Sequence, residues 1–219
     1  MTTTGPQTAQ DKLIAGLNPQ LRPLALRGNI RSYRKNAIII NEGEVGDSLF
    51  VLLEGKVKVY SNDADGREIT YNIVEAGDYF GELWMDGGPR SASVMTMEPC
   101  VCSIVTRDAL RDHLAEEPEF ALELVAQVIR RARAATETAR NMALKDVYGR
   151  VVATLESQRG VATPDQPITL TQITHQQIAS RVGASREMVS RLLKDLEKGG
   201  YIELGVKRIT LKKKLPARW

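Results

Sequence analysis

Between Ile38 and about Val105 the chain alternates short apolar runs with glycine-centred breaks. The runs are Ile38-Ile39-Ile40, Ser48 to Leu53, Lys56 to Tyr60, Glu68 to Val74 and Ser91 to Met97. The breaks fall at Asn41-Glu42-Gly43, Glu54-Gly55, Asp65-Gly66 and Glu75-Ala76-Gly77-Asp78. Runs of strand length separated by turn residues at close, regular spacing predict an antiparallel barrel or sandwich. The flanks differ: Asp11 to Leu26 reads as helical, and the pattern becomes helical again after Thr106.

Pro118 sits where a helix can begin, and neither proline nor glycine interrupts the chain from there to about Leu144. Apolar positions recur at Leu122, Val125, Val128, Ile129, Ala132, Ala135 or Thr136, Ala139 and Met142 or Ala143, close to a three-four alternation. A helix of that length spans roughly 40 Å, more than one small barrel covers, which favours a parallel homodimer along it over a helix packed only on its own barrel. Ala132, Ala134, Ala135 and Ala139 leave room for close approach.

A third pattern follows. Asp146 to Gln158 is amphipathic, Gly160 to Pro167 is a loop, and Ile168-Thr169-Leu170 is a short strand. Two short helices, Thr174 to Val182 and Ser185 to Lys198, are joined by Gly183-Ala184. Tyr201 to Leu204 and Arg208 to Leu211 flank Gly205 as a wing. The expected fold is α+β: an N-terminal antiparallel β-barrel over residues 1–117, a dimerisation helix over 118–145 and a winged helix-turn-helix over 146–219.

Within the last part, Thr174 and Ser185 are placed to cap the two helices, and Gly183 allows the bend between them. Ile178, Ala179 and Val182 on one helix and Val189, Leu192, Leu193 and Leu196 on the other make an inner face. Arg186, Glu187, Ser190, Arg191 and Lys194 are left facing outward. The start of such a second helix is what enters a major groove, where arginine can donate twice to guanine and glutamate can accept from cytosine. Charge agrees with this placement. The chain carries +3 overall, but residues 1–145 hold 17 Lys and Arg against 20 Asp and Glu, whereas residues 146–219 hold 13 against 7. The basic third is the one with the helix-turn-helix pattern, which makes double-stranded DNA the expected partner.

Other classes find little support. No apolar run approaches membrane-spanning length, and the polar start Met1 to Pro6 lacks the order of a secretory signal, so a cytoplasmic location is expected. Cys100 and Cys102, the two cysteines, alternate with other residues in one strand and read as buried, reduced side chains. Too few ligands surround them for a metal or iron-sulfur site, so no metal is expected. No nucleophile-base pair or paired-carboxylate arrangement stands out, and an enzyme is not expected.

The run Thr174-His175-Gln176-Gln177-Ile178-Ala179-Ser180-Arg181-Val182-Gly183-Ala184-Ser185-Arg186-Glu187-Met188-Val189-Ser190-Arg191 resembles the bacterial transcription regulators of the cAMP receptor protein and FNR type. The resemblance extends over nearly the whole chain. It implies that Arg186, Glu187 and Arg191 read bases, while Glu187, Ser190 and Arg191 match the FNR-like pattern. Because Arg186 is present, the implied operator is an inverted repeat of TGTGA-like half-sites. Thr174, Gln176 and Lys207 are the implied phosphate contacts, with Ser185 at the head of the helix.

In the barrel, Phe80-Gly81-Glu82-Leu83 and Pro89-Arg90-Ser91-Ala92 look like the family's phosphate cassette. Backbone N–H groups near Gly81 to Leu83 would cradle an anion, Arg90 would neutralise a cyclic phosphate, Ser91 would donate to it, and Glu82 would accept from a ribose hydroxyl. The competing reading is a plain turn in which Glu82 and Arg90 pair with each other. The segment Trp84-Met85-Asp86-Gly87-Gly88 departs from the cAMP receptor protein in length and in its tryptophan. Ala135-Thr136 supplies one hydroxyl, on Thr136, where that protein has two for adenine. The implied effector is cAMP, with cyclic GMP, cyclic di-GMP or ligand-independent DNA binding as alternatives. A homodimer and RNA polymerase are the implied protein partners. A different class, a nucleotide-binding regulatory module for a partner protein, lacks a role for the basic winged domain.

Overall fold

A computed structural model describes residues 9–159 and 166–216. Most of the expected Gly160–Pro167 loop lies outside the described residues. These fall into two units, residues 9–61 with 70–131, and residues 62–69 with 132–216.

The first unit opens with two short helices, α1 (Ala9–Ala15) and α2 (Arg22–Leu26), in place of the single helical stretch expected over Asp11 to Leu26. The interruption has a local cause. Asn18 Oδ1 accepts the Gln20 amide at 3.2 Å and the Leu17 carbonyl accepts Arg22 Nε at 2.8 Å, so side chains take over where Pro19 stops the helix ladder.

The strands β1 (Asn29–Tyr33), β2 (Ile38–Ile40), β3 (Ser48–Glu54), β4 (Lys56–Asn62), β5 (Glu68–Glu75), β6 (Tyr79–Phe80), β7 (Ser93–Thr96) and β8 (Cys100–Thr106) build two four-stranded sheets, β1-β8-β3-β6 and β2-β7-β4-β5. The central strand β3 is buried on both faces, which explains its unbroken apolar run. Phe50 and Leu52 join Ile40, Val57, Val74, Phe80 and Val94 in a core shared by both sheets. Leu49, Val51 and Leu53 face the opposite way and pack with residues of α1, α2, α3 (Arg107–Glu116) and the start of α4 (Pro118–Leu144). Cys100 and Cys102 are free and buried in the shared core, and burial pushes the Cys102 thiol up to about 12.

Helix α4 has the expected 27 residues. Phe120 and Leu124 hold it in the first unit, whereas three positions of the expected stripe, Leu122, Val125 and Ile129, are 65%, 54% and 46% exposed in this single chain.

In the second unit come α5 (Val147–Ser157), β9 (Ile168–Thr171), α6 (His175–Val182), α7 (Arg186–Lys198), β10 (Ile202–Gly205) and β11 (Arg208–Leu211). The three strands form one antiparallel sheet in the order β10-β11-β9. Asp146, Thr174 and Ser185 cap α5, α6 and α7 through side-chain oxygens. Gly183 closes α6 at φ +62, a backbone conformation that side-chain-bearing residues seldom adopt. Ile178, Ala179, Val182, Val189, Leu193 and Leu196 are buried with Tyr148, Val151 and Leu155 of α5 and with Ile202, Ile209 and Leu211 of the wing. This is the inner face expected for the helix pair, with Leu192 half-buried at its margin.

Candidate ligand site and nucleic-acid interface

Glu82 and Leu83 of the expected cassette sit on a short 3-10 turn, Glu82–Asp86, that follows β6. Gly81 precedes it at φ +83, and a Cβ there would stand 3.0 Å from Arg90 Nη1. The site needs glycine at that position on both counts. Arg90, 8% exposed, reaches back to this turn: Nη1 donates to the Gly81 carbonyl at 2.6 Å and Nη2 to the Ser48 carbonyl at 2.8 Å. Its guanidinium lies 5.9 Å from the centroid of Phe50, which stacks on Phe80. Burial pulls the Arg90 guanidinium below its ordinary value, against the pull of Asp47, Glu82 and Glu44. Arginine nevertheless stays protonated. Among the described residues no carboxylate lies within ion-pair distance of Arg90. The site therefore holds a buried, immobilised cation whose charge no protein anion contacts.

The competing turn, with Glu82 paired to Arg90, is not what forms. Glu82, 3% exposed, pairs with Arg131 of α4, Nη1 to Oε1 at 2.5 Å. Arg131 also donates to the Tyr79 carbonyl at 2.6 Å and lies 3.7 Å from Asp78, whose carboxylate accepts from Gln127 Nε2 at 3.1 and 3.2 Å. The helix thus holds the cassette glutamate through a cation that the sequence reading did not single out. Residues 49 positions apart carry no local signal of pairing. Leu83 and Ser91 are exposed beside the turn. Trp84 is buried under the Arg107 guanidinium at 4.5 Å, so the residue that departs from the cassette pattern belongs to the core. Thr136, on the second half of α4, is exposed and donates to the Ala132 carbonyl at 3.0 Å.

In the second unit, α7 presents Arg186, Glu187, Arg191 and Lys194 to solvent. Among the described residues none of these four has a side-chain hydrogen bond or ion pair. Four unpaired charges on two turns of one helix leave their donors and acceptors available to an outside partner. Ser185, at the head of the helix, uses its Oγ to accept the Met188 amide at 3.2 Å. Ser190 is half-buried, and its Oγ lies 2.9 Å from His175 Nδ1. Thr174 is occupied as well. Its Oγ1 accepts the Gln177 amide at 3.2 Å and donates to Gln177 Oε1 at 3.0 Å, and Oε1 also accepts the Thr174 amide at 2.8 Å. This capping box was readable from Thr174 and Gln177, three positions apart. Gln176 is exposed, its Nε2 3.5 Å from Ser180 Oγ. Lys207 stands exposed in the wing turn at φ +50.

A sheet sandwich with a buried guanidinium at a glycine turn, and a winged helix-turn-helix with an exposed charged face on its second helix, define a two-part class: a sensory-type domain and a DNA-binding domain in one chain. The comparisons agree. Residues 30–117 match the family model of the cyclic nucleotide-binding domain and residues 149–214 that of the Crp-like helix-turn-helix domain. The CRP-like cAMP-activated global transcriptional regulator of Mycobacterium tuberculosis is 34% identical over 94% of this chain and 90% of its own length. The cAMP-activated global transcriptional regulator CRP of Pasteurella multocida is 32% identical over 83% of this chain and 88% of its own. Among solved structures, the c-di-GMP responsive global regulator CLP of Xanthomonas campestris superposes with a TM-score of 0.78 at 22% identity, over 89% of this chain and 99% of that one, a likeness of fold. This chain belongs to the cAMP receptor protein/FNR family of transcription regulators.

No helix among the described residues is long and apolar enough to cross a membrane.

Proposed function

We propose that this chain is a cytoplasmic, homodimeric regulator that binds an inverted repeat of TGTGA-like half-sites under the control of cAMP and acts on RNA polymerase. Its parts are a sensory barrel over 1–117, a dimerisation helix over 118–145 and the DNA-binding domain over 146–219. The observation that carries the sensory half is Arg90: buried, fixed by two carbonyls and without a protein anion in contact. A cyclic phosphate supplies the single negative charge that such a site lacks. Ser91 would donate to the same phosphate, with the backbone N–H groups of Gly81 to Leu83 beside it. Glu82 is neutralised through Oε1 by Arg131, and its Oε2 is left to accept from a ribose hydroxyl. Thr136 is assigned to the base by family resemblance. The names of the two curated relatives, both cAMP-activated regulators, support cAMP as the nucleotide.

Arg186, Glu187 and Arg191 carry base reading in this proposal, and Gln176 and Lys207 carry phosphate contact. Thr174 and Ser185 contribute as caps, which present the first amides of α6 and α7. The exposed Leu122, Val125 and Ile129 support a partner helix alongside α4. Isothermal titration with cAMP, cyclic GMP and cyclic di-GMP tests the sensory half. The expected result is binding of cAMP in preference to the other two and its loss in R90Q. Undiminished binding in R90Q, or preference for another nucleotide, contradicts the assignment.

A further inference from the structure

His175 opens α6, and Ser190 lies one turn into α7, yet their side chains meet, Nδ1 to Oγ at 2.9 Å, and both are half-buried. Ser190 shares a stripe of α7 with Arg186 one turn before it and Lys194 one turn after it. These two are the charged groups that act on the imidazole. Burial pushes His175 below its ordinary value, and repulsion from Arg186 and then Lys194 pushes in the same direction. At neutral pH the ring is therefore uncharged, with one nitrogen donating and the other accepting. The Nε2 atom has no protein partner among the described residues. In the Nε2–H tautomer Nδ1 is the acceptor, so Ser190 spends its own hydroxyl proton on the ring and keeps only lone pairs for a base; in the Nδ1–H tautomer the roles reverse.

We infer that His175 carries its proton on Nε2 and is a positioning residue for sequence readout: it fixes the Ser190 hydroxyl as a hydrogen-bond acceptor and so selects an amino-bearing base, cytosine or adenine, at the half-site position Ser190 faces. The selection follows from the groove itself, where cytosine N4 and adenine N6 donate while guanine and thymine offer acceptors. When acid protonates the imidazole, Nδ1 becomes a donor to Ser190 Oγ. The freed serine O–H then points outward as a donor, and the preference for an amino group at that one position is lost, with cytosine, which offers no major-groove acceptor, disfavoured most.

The inference rests on the DNA-reading assignment of α7, and one experiment separates the two. Full-length wild type, S190G, H175F, H175F/S190G and H175N are used to select operators from a randomised half-site library at pH 7.5. Wild type and H175N are selected again at a pH below the His175 titration midpoint that NMR reads on the wild type, and thermal melts serve as the folding control. At pH 7.5 wild type prefers an amino-bearing base at one position by about fivefold, the worth of one net hydrogen bond. S190G, H175F and the double variant lose that preference at that position alone and to the same extent. H175N keeps it, because the asparagine carbonyl oxygen can stand where Nδ1 accepts. Below that midpoint the wild-type preference shifts, while that of H175N does not. The inference is overturned if H175F selects the wild-type motif and binds all sequences uniformly more weakly with a shallower salt dependence, the mark of a phosphate contact. It is equally overturned if S190G selects the wild-type motif, or if wild type shows no shift below that midpoint. Failure of wild type to select any motif would strike the DNA-reading assignment instead.

Discussion

The Glu82–Arg131 pair offers a quantitative test of how α4 holds the cassette. Substituting Arg131 with methionine keeps much of the aliphatic bulk but leaves a carboxylate only 3% exposed without its cation. Breaking a fully buried ion pair costs about 3–5 kcal/mol. The Arg131 side chain is 24% exposed, so water reaches one side of the pair and the coupling is discounted to about 2 kcal/mol. R131M also loses the donation to the Tyr79 carbonyl at 2.6 Å and the cation's contact with the Tyr79 ring at 5.4 Å. Together these are worth about 1–2 kcal/mol. R131M should therefore be destabilised by about 3 kcal/mol in total, while R131M/E82Q should recover part of that loss. Urea unfolding of wild type, R131M, E82Q and the double variant, followed by the fluorescence of the buried Trp84, gives the cycle directly. A coupling below about 0.5 kcal/mol, the ordinary error of additivity, would refute the claim that the helix neutralises the cassette glutamate.

Three further outcomes are expected. R186A should lose discrimination at a guanine of the half-site by about 1–3 kcal/mol in competition binding, whereas K207A should weaken all sequences alike and reduce the salt slope by about 1. Equal loss on all sequences for R186A would contradict its base-reading role. Replacing the exposed Leu122, Val125 and Ile129 together by aspartate should shift sedimentation from dimer to monomer, since it sets like charges on both faces of the paired helices. A dimer that survives would place the interface elsewhere. His113 is buried edge-on against Phe120, and burial, aided by Arg27, pushes it below its ordinary 6.5. The folded state thus favours the neutral ring, and the stability it contributes is present above about pH 6.5 and lost as pH falls below that value. The acid limb of the stability profile should flatten in H113L, and an unchanged limb would assign the effect to other groups.

Periodicity made most of the elements legible. The apolar runs of β3, β4 and β5 and the uninterrupted span of α4 each state their own secondary structure, because local burial pattern and backbone period coincide there. Strands β1 and β6 were harder. Asn29–Tyr33 carries two exposed arginine and serine positions in its middle, and Tyr79–Phe80 is too short to show a period, so pairing with β8 and β3 decides them. The stripe on α4 was legible as apolar, but the positions that pack in the first unit, Phe120 and Leu124, lie off it. At the site, the cap residues and the exposed charged residues of α7 were visible because both are set by position within one helix. The partners Arg131 of Glu82 and His175 of Ser190 were not, since each contact joins segments that only the tertiary fold brings together.

The central claim is that a nucleotide held at Arg90 controls DNA binding by the winged domain. A ligand does so only through unequal affinity for the DNA-competent and incompetent states. Fluorescence anisotropy with a TGTGA inverted-repeat duplex at physiological salt, with and without saturating cAMP, measures that difference directly for wild type and R90Q. The account predicts at least about a tenfold gain in wild-type affinity with cAMP, a coupling of about 1.4 kcal/mol, and no gain in R90Q. Equal wild-type affinity with and without bound cAMP would contradict it.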